Sequence, residues 1–128
     1  MTVRDLLEDV DRMHPNNVDT VYKWGRITQA EQLLLDECLK THEISVAEQK
    51  KAAEIAALRM VDADYEPLAQ PPYHDLYIHY VAAQIAALNA DTDAYTNEAT
   101  LYNNALLTYK NWFNRTHRSI DNGQRWRF

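Results

Sequence analysis

The stretch LYNNALLTYKNWFNRTH, residues 101–117, sets how the rest of this chain reads. Tyr102, Leu106, Tyr109 and Phe113 recur in it at threes and fours, and Tyr95 and Ala99 extend the line upstream. That spacing puts all six on one face of an α-helix, with Leu101, Ala105 and Trp112 broadening it. Packing therefore accounts for the aromatic residues without a ligand. Tyrosine adds a hydroxyl that needs a partner when buried, so such a face also suits a partly wet seam between subunits.

Working back from that helix, residues 89–93 form a short polar turn, with Asp91 and Asp93 placed to cap the helix behind them. Before the turn, Leu76, Tyr77, Tyr80, Val81, Gln84, Ile85 and Leu88 mark another helix, whose first turn suits Pro72. Two long amphipathic helices joined by a short turn predict an antiparallel helical hairpin. Tyr80, Tyr102, Tyr109 and Trp112 are the candidate subunit or partner contacts.

At the other end, Thr2 and Asp5 make a capping-box variant, and Val3, Leu6, Leu7, Val10 and Met13 keep helical spacing up to His14-Pro15. Val21, Trp24, Ile27, Leu34, Leu35 and Cys38 trace the face of a second helix reaching about Lys40, with Gly25 as its weak point. Gly25 permits a sharper alternative: a turn there, then a fresh cap at Thr28 with Glu31 three residues on, would make a helix-turn-helix of a DNA-binding regulator. The recognition helix would be TQAEQLLLDECL, which carries three acids and no Arg or Lys, the wrong sign to face phosphates.

Ser45 and Glu48 form another capping box, predicting a helix over about residues 46–61 with a thin, alanine-rich apolar face. The prolines of DADYEPLAQPPY then break it. Residues 45–71 are thus either a mobile arm or an inserted helix. The expected organisation is one all-α domain over residues 1–117, of four to five helices, followed by a basic tail over 118–128.

Two glycines and four prolines in 128 residues favour long helices over a many-turned β-fold. The net charge of −6 is unevenly spread. From Lys110 onward five bases face one acid, giving +4, while the preceding residues hold 8 bases against 18 acids, giving −10. An acidic body with a basic end points to contact with a polyanion or with the acidic surface of a neighbouring copy. The end RSIDNGQRWRF carries an Asn122-Gly123 turn signal and then alternates cationic with aromatic groups. It suits base stacking, insertion into a neighbour's groove, or a disordered end. Arg115, Arg118, Arg125, Trp126 and Arg127 are the candidate basic contacts.

Chemistry finds little support. Cys38 sits among leucines and acids, and a lone cysteine with no apolar leader segment implies an intracellular protein. His74 and His79, five apart, diverge on a helix, and paired metal-ligand spacing is missing. Two glycines cannot build a phosphate loop. No enzyme activity, cofactor, metal or membrane span is expected.

Four stretches carry a resemblance to a known family: TVRDLLEDVDRMHPN at 2–16, LKTHE at 39–43, PPYHDLYIHYVAAQIAALN at 71–89, and the opening 101–117 segment. Together they resemble the small head-tail connector (adaptor, or head-completion) proteins of long-tailed bacteriophages and prophages. The resemblance covers most of residues 1–43 and residues 68–117; the alanine-rich segment and the tail after His117 fall outside it. It implies a small α-helical virion structural protein, made in the bacterial host cytoplasm and located at the head-tail interface. Its copies would form a ring beneath the portal protein, extend the DNA channel and meet a tail-completion or stopper protein, with DNA passing unread. No catalytic residue is implied.

Overall fold

The computed structural model describes residues 1–120 of the chain, and within them five α-helices and no strand. Helix α1 (Val3–Met13) begins at Thr2, whose Oγ1 accepts from Asp5 N while Asp5 Oδ2 accepts from Thr2 N, closing the capping box. Val3, Leu6, Leu7 and Val10 are buried, and the opposite face is lined with charged residues such as Arg4, Asp5, Glu8 and Asp11. The amides of Val3 and Arg4, free in any helix's first turn, donate to Tyr65 O and Ala63 O at 2.9 Å. The helix start is thereby tied to a loop some sixty residues away.

Helix α2 (Thr20–Leu34) is capped by Asp19 and runs without a break through Gly25. The helix-turn-helix reading therefore has no turn to stand on. Thr28, instead of opening a helix, donates its hydroxyl to Trp24 O at 2.8 Å and accepts Val61 N at 2.9 Å. A Cβ at Gly25 would meet only Met60 Cε, at 3.8 Å. Gly25→Ala is therefore expected to stabilise the fold by about 0.5–1 kcal/mol through reduced chain entropy, read as a raised urea midpoint. A turn at Gly25 would require the opposite sign.

The chain then passes into a π-helical turn, Leu35–Leu39, where Lys40 N bonds to Leu35 O. Leu34, Leu35 and Cys38 are buried on the face their spacing predicts, and Leu39 is buried with them. Val21, expected on the buried face, lies 49% exposed, while Lys23 beside it is buried with its ammonium 2.7 Å from Asp11.

Helix α3 (Val46–Ala57) starts at the Ser45–Glu48 capping box and buries only Ile55. The next loop nevertheless enters the core through Val61 and Ala69. Its amides are held by side chains: Val61 N by Thr28, Leu68 N by Glu31 at 3.0 Å, and Ala69 N by Tyr77 Oη at 2.9 Å. The Pro71-Pro72 bond is cis, and the next helix begins three residues beyond Pro72, not at it.

Helix α4 (Asp75–Leu88) is the centre of the molecule. Leu76, Tyr77, Ile78, Val81, Ala82, Ala83, Ile85 and Ala86 are buried, leaving almost no solvated side, as a helix apolar all round requires. Helix α5 (Thr92–Thr116) comes after residues 89–91, its N-terminus capped by Asp91 Oδ1 on Ala94 N at 3.1 Å. It packs along α4, and Trp112 near its C-terminal end meets Tyr73 of the loop before α4, ring centroids 5.3 Å apart. After α5, Arg118 O accepts Glu43 N and Ile120 N donates to Thr41 O, a short antiparallel bridge.

Candidate assembly surfaces

The aromatic residues singled out by spacing lie along the α4–α5 seam. Tyr80 is half-buried, its ring 5.1 Å from that of Tyr102 and its hydroxyl donating to Gln29 Oε1 at 2.6 Å. Trp112, also half-buried, leans on Tyr73 and Tyr109. Tyr109 is 2% exposed and belongs to the chain's own core.

At the end of α5, Phe113 sits between two histidines. His117 stacks on it at 3.8 Å and His42 meets it edge-on at 4.9 Å. Each imidazole is anchored in turn: His117 Nε2 to Glu48 Oε2 at 2.7 Å, His42 Nε2 to Asn114 Oδ1 at 2.7 Å. Cys38 lies buried nearby, and burial pushes its thiol up to about 11, so it stays protonated near neutrality and packs as an apolar group. Arg115 and Arg118 are exposed here, Arg118 lying 3.7 Å from Glu43. Arg125, Trp126 and Arg127 lie outside the described residues.

At the opposite end of α5, three elements meet. His14, capping α1, and His79, on α4, both reach Oε1 of the buried Glu98 of α5, at 3.3 and 3.0 Å. The imidazoles converge on one carboxylate oxygen. Among the described residues no group of three or more His, Cys, Asp or Glu is placed to hold a metal. Beside this cluster a groove of about 420 Å³ opens, with Met13, Ala82, Ile85 and Ala86 among its apolar lining and Asn89, Asp91 and Asn97 among its polar lining. Sequence spacing could not show it, because its parts come from three separate helices.

The outer face of α5 is the most unusual surface. The helix is 25 residues long yet buries only Glu98, Tyr109 and Phe113. Between Asp93 and Arg115 every exposed residue is uncharged, among them Tyr95, Asn97, Leu101, Asn104, Leu107 and Asn111. The two charges in that span are otherwise engaged: Glu98 is buried, and Lys110 pairs with Glu37 at 3.0 Å. Residues 94–114 thus form a face about 30 Å long at 1.5 Å rise per residue. A solvated helix face normally carries charge, as the outer side of α1 does; depletion of charge marks the buried part of an interface. The sequence signal was present in the run of Asn and Thr around Leu101 and Leu107, although the aromatic stripe drew the reading to the inner face.

One buried carboxylate has a different character. Glu31 is fully buried and accepts from Tyr65 Oη at 2.7 Å, from Leu68 N at 3.0 Å and from Tyr77 Oη. Burial raises its pKa, against the opposing pull of these three donors. With every partner internal, it clamps the 61–70 loop to α2 and α4.

Comparison with protein-family models, curated proteins and solved structures found no match to this chain. No helix among the described residues is long and apolar enough to cross a membrane.

Proposed function

We propose that this chain is an architectural subunit that assembles with copies of itself, and that it serves as a head-tail connector of a long-tailed bacteriophage or prophage. The observation that carries the first part is the charge-free outer face of α5. Its asparagines both donate and accept, and Thr100 and Thr108, whose hydroxyls donate to Thr96 O and Asn104 O, still accept, so the face can pair with another uncharged face while Leu101 and Leu107 become buried. A strongly charged partner would lose hydration there without a counter-charge. A second copy fits that requirement. The second part rests on the four resembling stretches, two of which supply the long helices α4 and α5. On this reading the helices form the wall of a ring beneath a portal protein, with the α4–α5 pair as an antiparallel hairpin. DNA passes through the ring unread, and the protein does no chemistry of its own.

Leu107→Asp tests the contact. Leu107 is 57% exposed, so the chain's own stability should change by no more than about 0.5 kcal/mol. Self-association, read by sedimentation velocity, should weaken by about tenfold or more, because an unpaired carboxylate would be buried in the seam. Glu8→Gln on the charged face of α1 should leave association unchanged. Equal association of Leu107→Asp and wild type would remove α5 from the interface.

A further inference from the structure

The groove beside Glu98 is open in the single chain, and its lining describes what would fill it. Its floor is apolar, from Met13, Ala82, Ile85 and Ala86, and its rim holds the carboxylates of Asp91 and Glu98. Both imidazoles occupy Glu98 Oε1, and among the described residues no group hydrogen-bonds Oε2. Such a site selects a group that is cationic at one point and flat and apolar at the next, since a guanidinium matches carboxylate oxygens and an indole covers apolar floor. The sequence offers that pairing in Arg125-Trp126-Arg127, on the one strongly basic segment of an otherwise acidic chain.

We propose that residues 121–128 of one copy dock in the groove formed by α1, α4 and α5 of a neighbouring copy, with Arg125 or Arg127 on Glu98 and Asp91 and Trp126 on the apolar floor. This rests on the reading of the chain as a self-assembling subunit and deepens it. Reach favours a neighbour over the same copy. His42 holds Asn114, and the 41–43 segment holds 118–120, so the chain leaves Ile120 alongside the last third of α5. From the level of Asn114 back to Glu98 is about 24 Å of helix. Five residues from Ile120 to Arg125 span at most about 18 Å and seven to Arg127 about 25 Å, so only a fully extended tail would bring Arg127 level with Glu98 of its own copy, whereas Asn122-Gly123 favours a turn. The two partners of the contact thus lie at opposite ends of α5. A contact of this kind is heterologous, joining unlike patches, which is what closing a ring requires.

A labelled peptide of residues 119–128 titrated into the full chain carrying Arg125→Glu and Arg127→Glu tests the site directly. Saturable binding is expected, weakened about tenfold by adding Asn97→Arg at the rim and weakened further as salt shortens the screening length. In parallel, benzoylphenylalanine at position 126 of the full chain, mixed with isotopically heavy wild type, should cross-link light to heavy chains at Met13 and within residues 82–97. Absence of peptide binding, equal binding to the Asn97→Arg chain, or cross-links confined to single copies would overturn the proposal. Peptide binding by a chain that stays monomeric would uphold the groove and sink the α5 interface. Association through α5 by a chain that ignores the peptide would do the reverse.

Discussion

Glu31→Ala is expected to destabilise the protein by about 3–5 kcal/mol. The substitution removes the acceptor of two tyrosine hydroxyls and the Leu68 amide at once. Tyr77 is fully buried, and a buried donor left unpaired costs about 1–3 kcal/mol. The cavity left by the side chain adds to that cost. Because these bonds span α2, the 61–70 loop and α4, the loss should be global, a lower urea midpoint for the whole domain.

The same residue sets a pH dependence of unusual sign. Its pKa is raised above the ordinary 4.5 by burial, so between 4.5 and the raised value the folded state binds more protons than the unfolded one. The contribution of Glu31 is fully present below 4.5 and is lost as pH rises through the folded value. Asp5 runs the other way: its backbone hydrogen bond with Thr2 holds its pKa low, and its contribution is lost as pH falls through the folded value. The difference in stability between wild type and Glu31→Gln, followed by urea denaturation, should therefore move in favour of wild type as pH falls toward 4.5. A difference that is flat, or that moves the other way, would show that the carboxylate is not desolvated in the fold.

Phe113→Ala should cost about 3–5 kcal/mol, the range for truncating a fully buried aromatic side chain. Phe113 is 1% exposed and is the ring on which His42, His117, Tyr109 and Trp112 all lean. Its loss removes the support of the 41–43 and 118–120 segments together. Thermal unfolding of the variant should show a Tm lower by more than about 10 °C, since each kcal/mol shifts a domain of this size by about 3–6 °C. A shift of a few degrees would mean that the two histidines collapse into the space and refill it.

How much of this could be read beforehand depends on the range of the interactions. The all-α class, the caps at Thr2, Ser45 and Asp91, and part of the inner face of α5 were legible, because each depends on residues within one turn or one helical period of each other; Tyr95 and Leu101, expected on that face, lie 42% and 43% exposed on the outer one. Helix α4 was legible as a helix, though its start was not: Pro72 suited a first turn, but the cis Pro71-Pro72 bond and residues 72–74 precede the helix. The role of Glu31 was not legible, for a different reason. Three residues after Thr28 it completes a capping-box pattern, whereas its real partners stand 34, 37 and 46 residues away. No local window contains them. The face of α2 was legible in Ile27, Leu34, Leu35 and Cys38, all buried, and failed only at Val21 near its start, while the π-turn at Leu35–Leu39 had no local signal.

The candidate surfaces divide along the same line. The seam tyrosines were visible as a stripe, but spacing alone could not show that Tyr109 turns inward while Tyr80 and Tyr102 stay half-exposed. The uncharged outer face of α5 was visible in composition. Its meaning required knowing which of its residues α4 covers. His14, His79 and Glu98 were visible only as isolated letters, and their meeting is a product of the tertiary fold.

Whether this chain builds an assembly from copies of itself is decided by sedimentation velocity of the wild-type protein over a concentration series reaching millimolar, with negative-stain images of the largest species. A concentration-dependent shift from monomer to one closed species is expected, seen as rings of fixed copy number with a central opening. A chain that sediments as a monomer across the whole series, with no rings in the images, would contradict self-assembly.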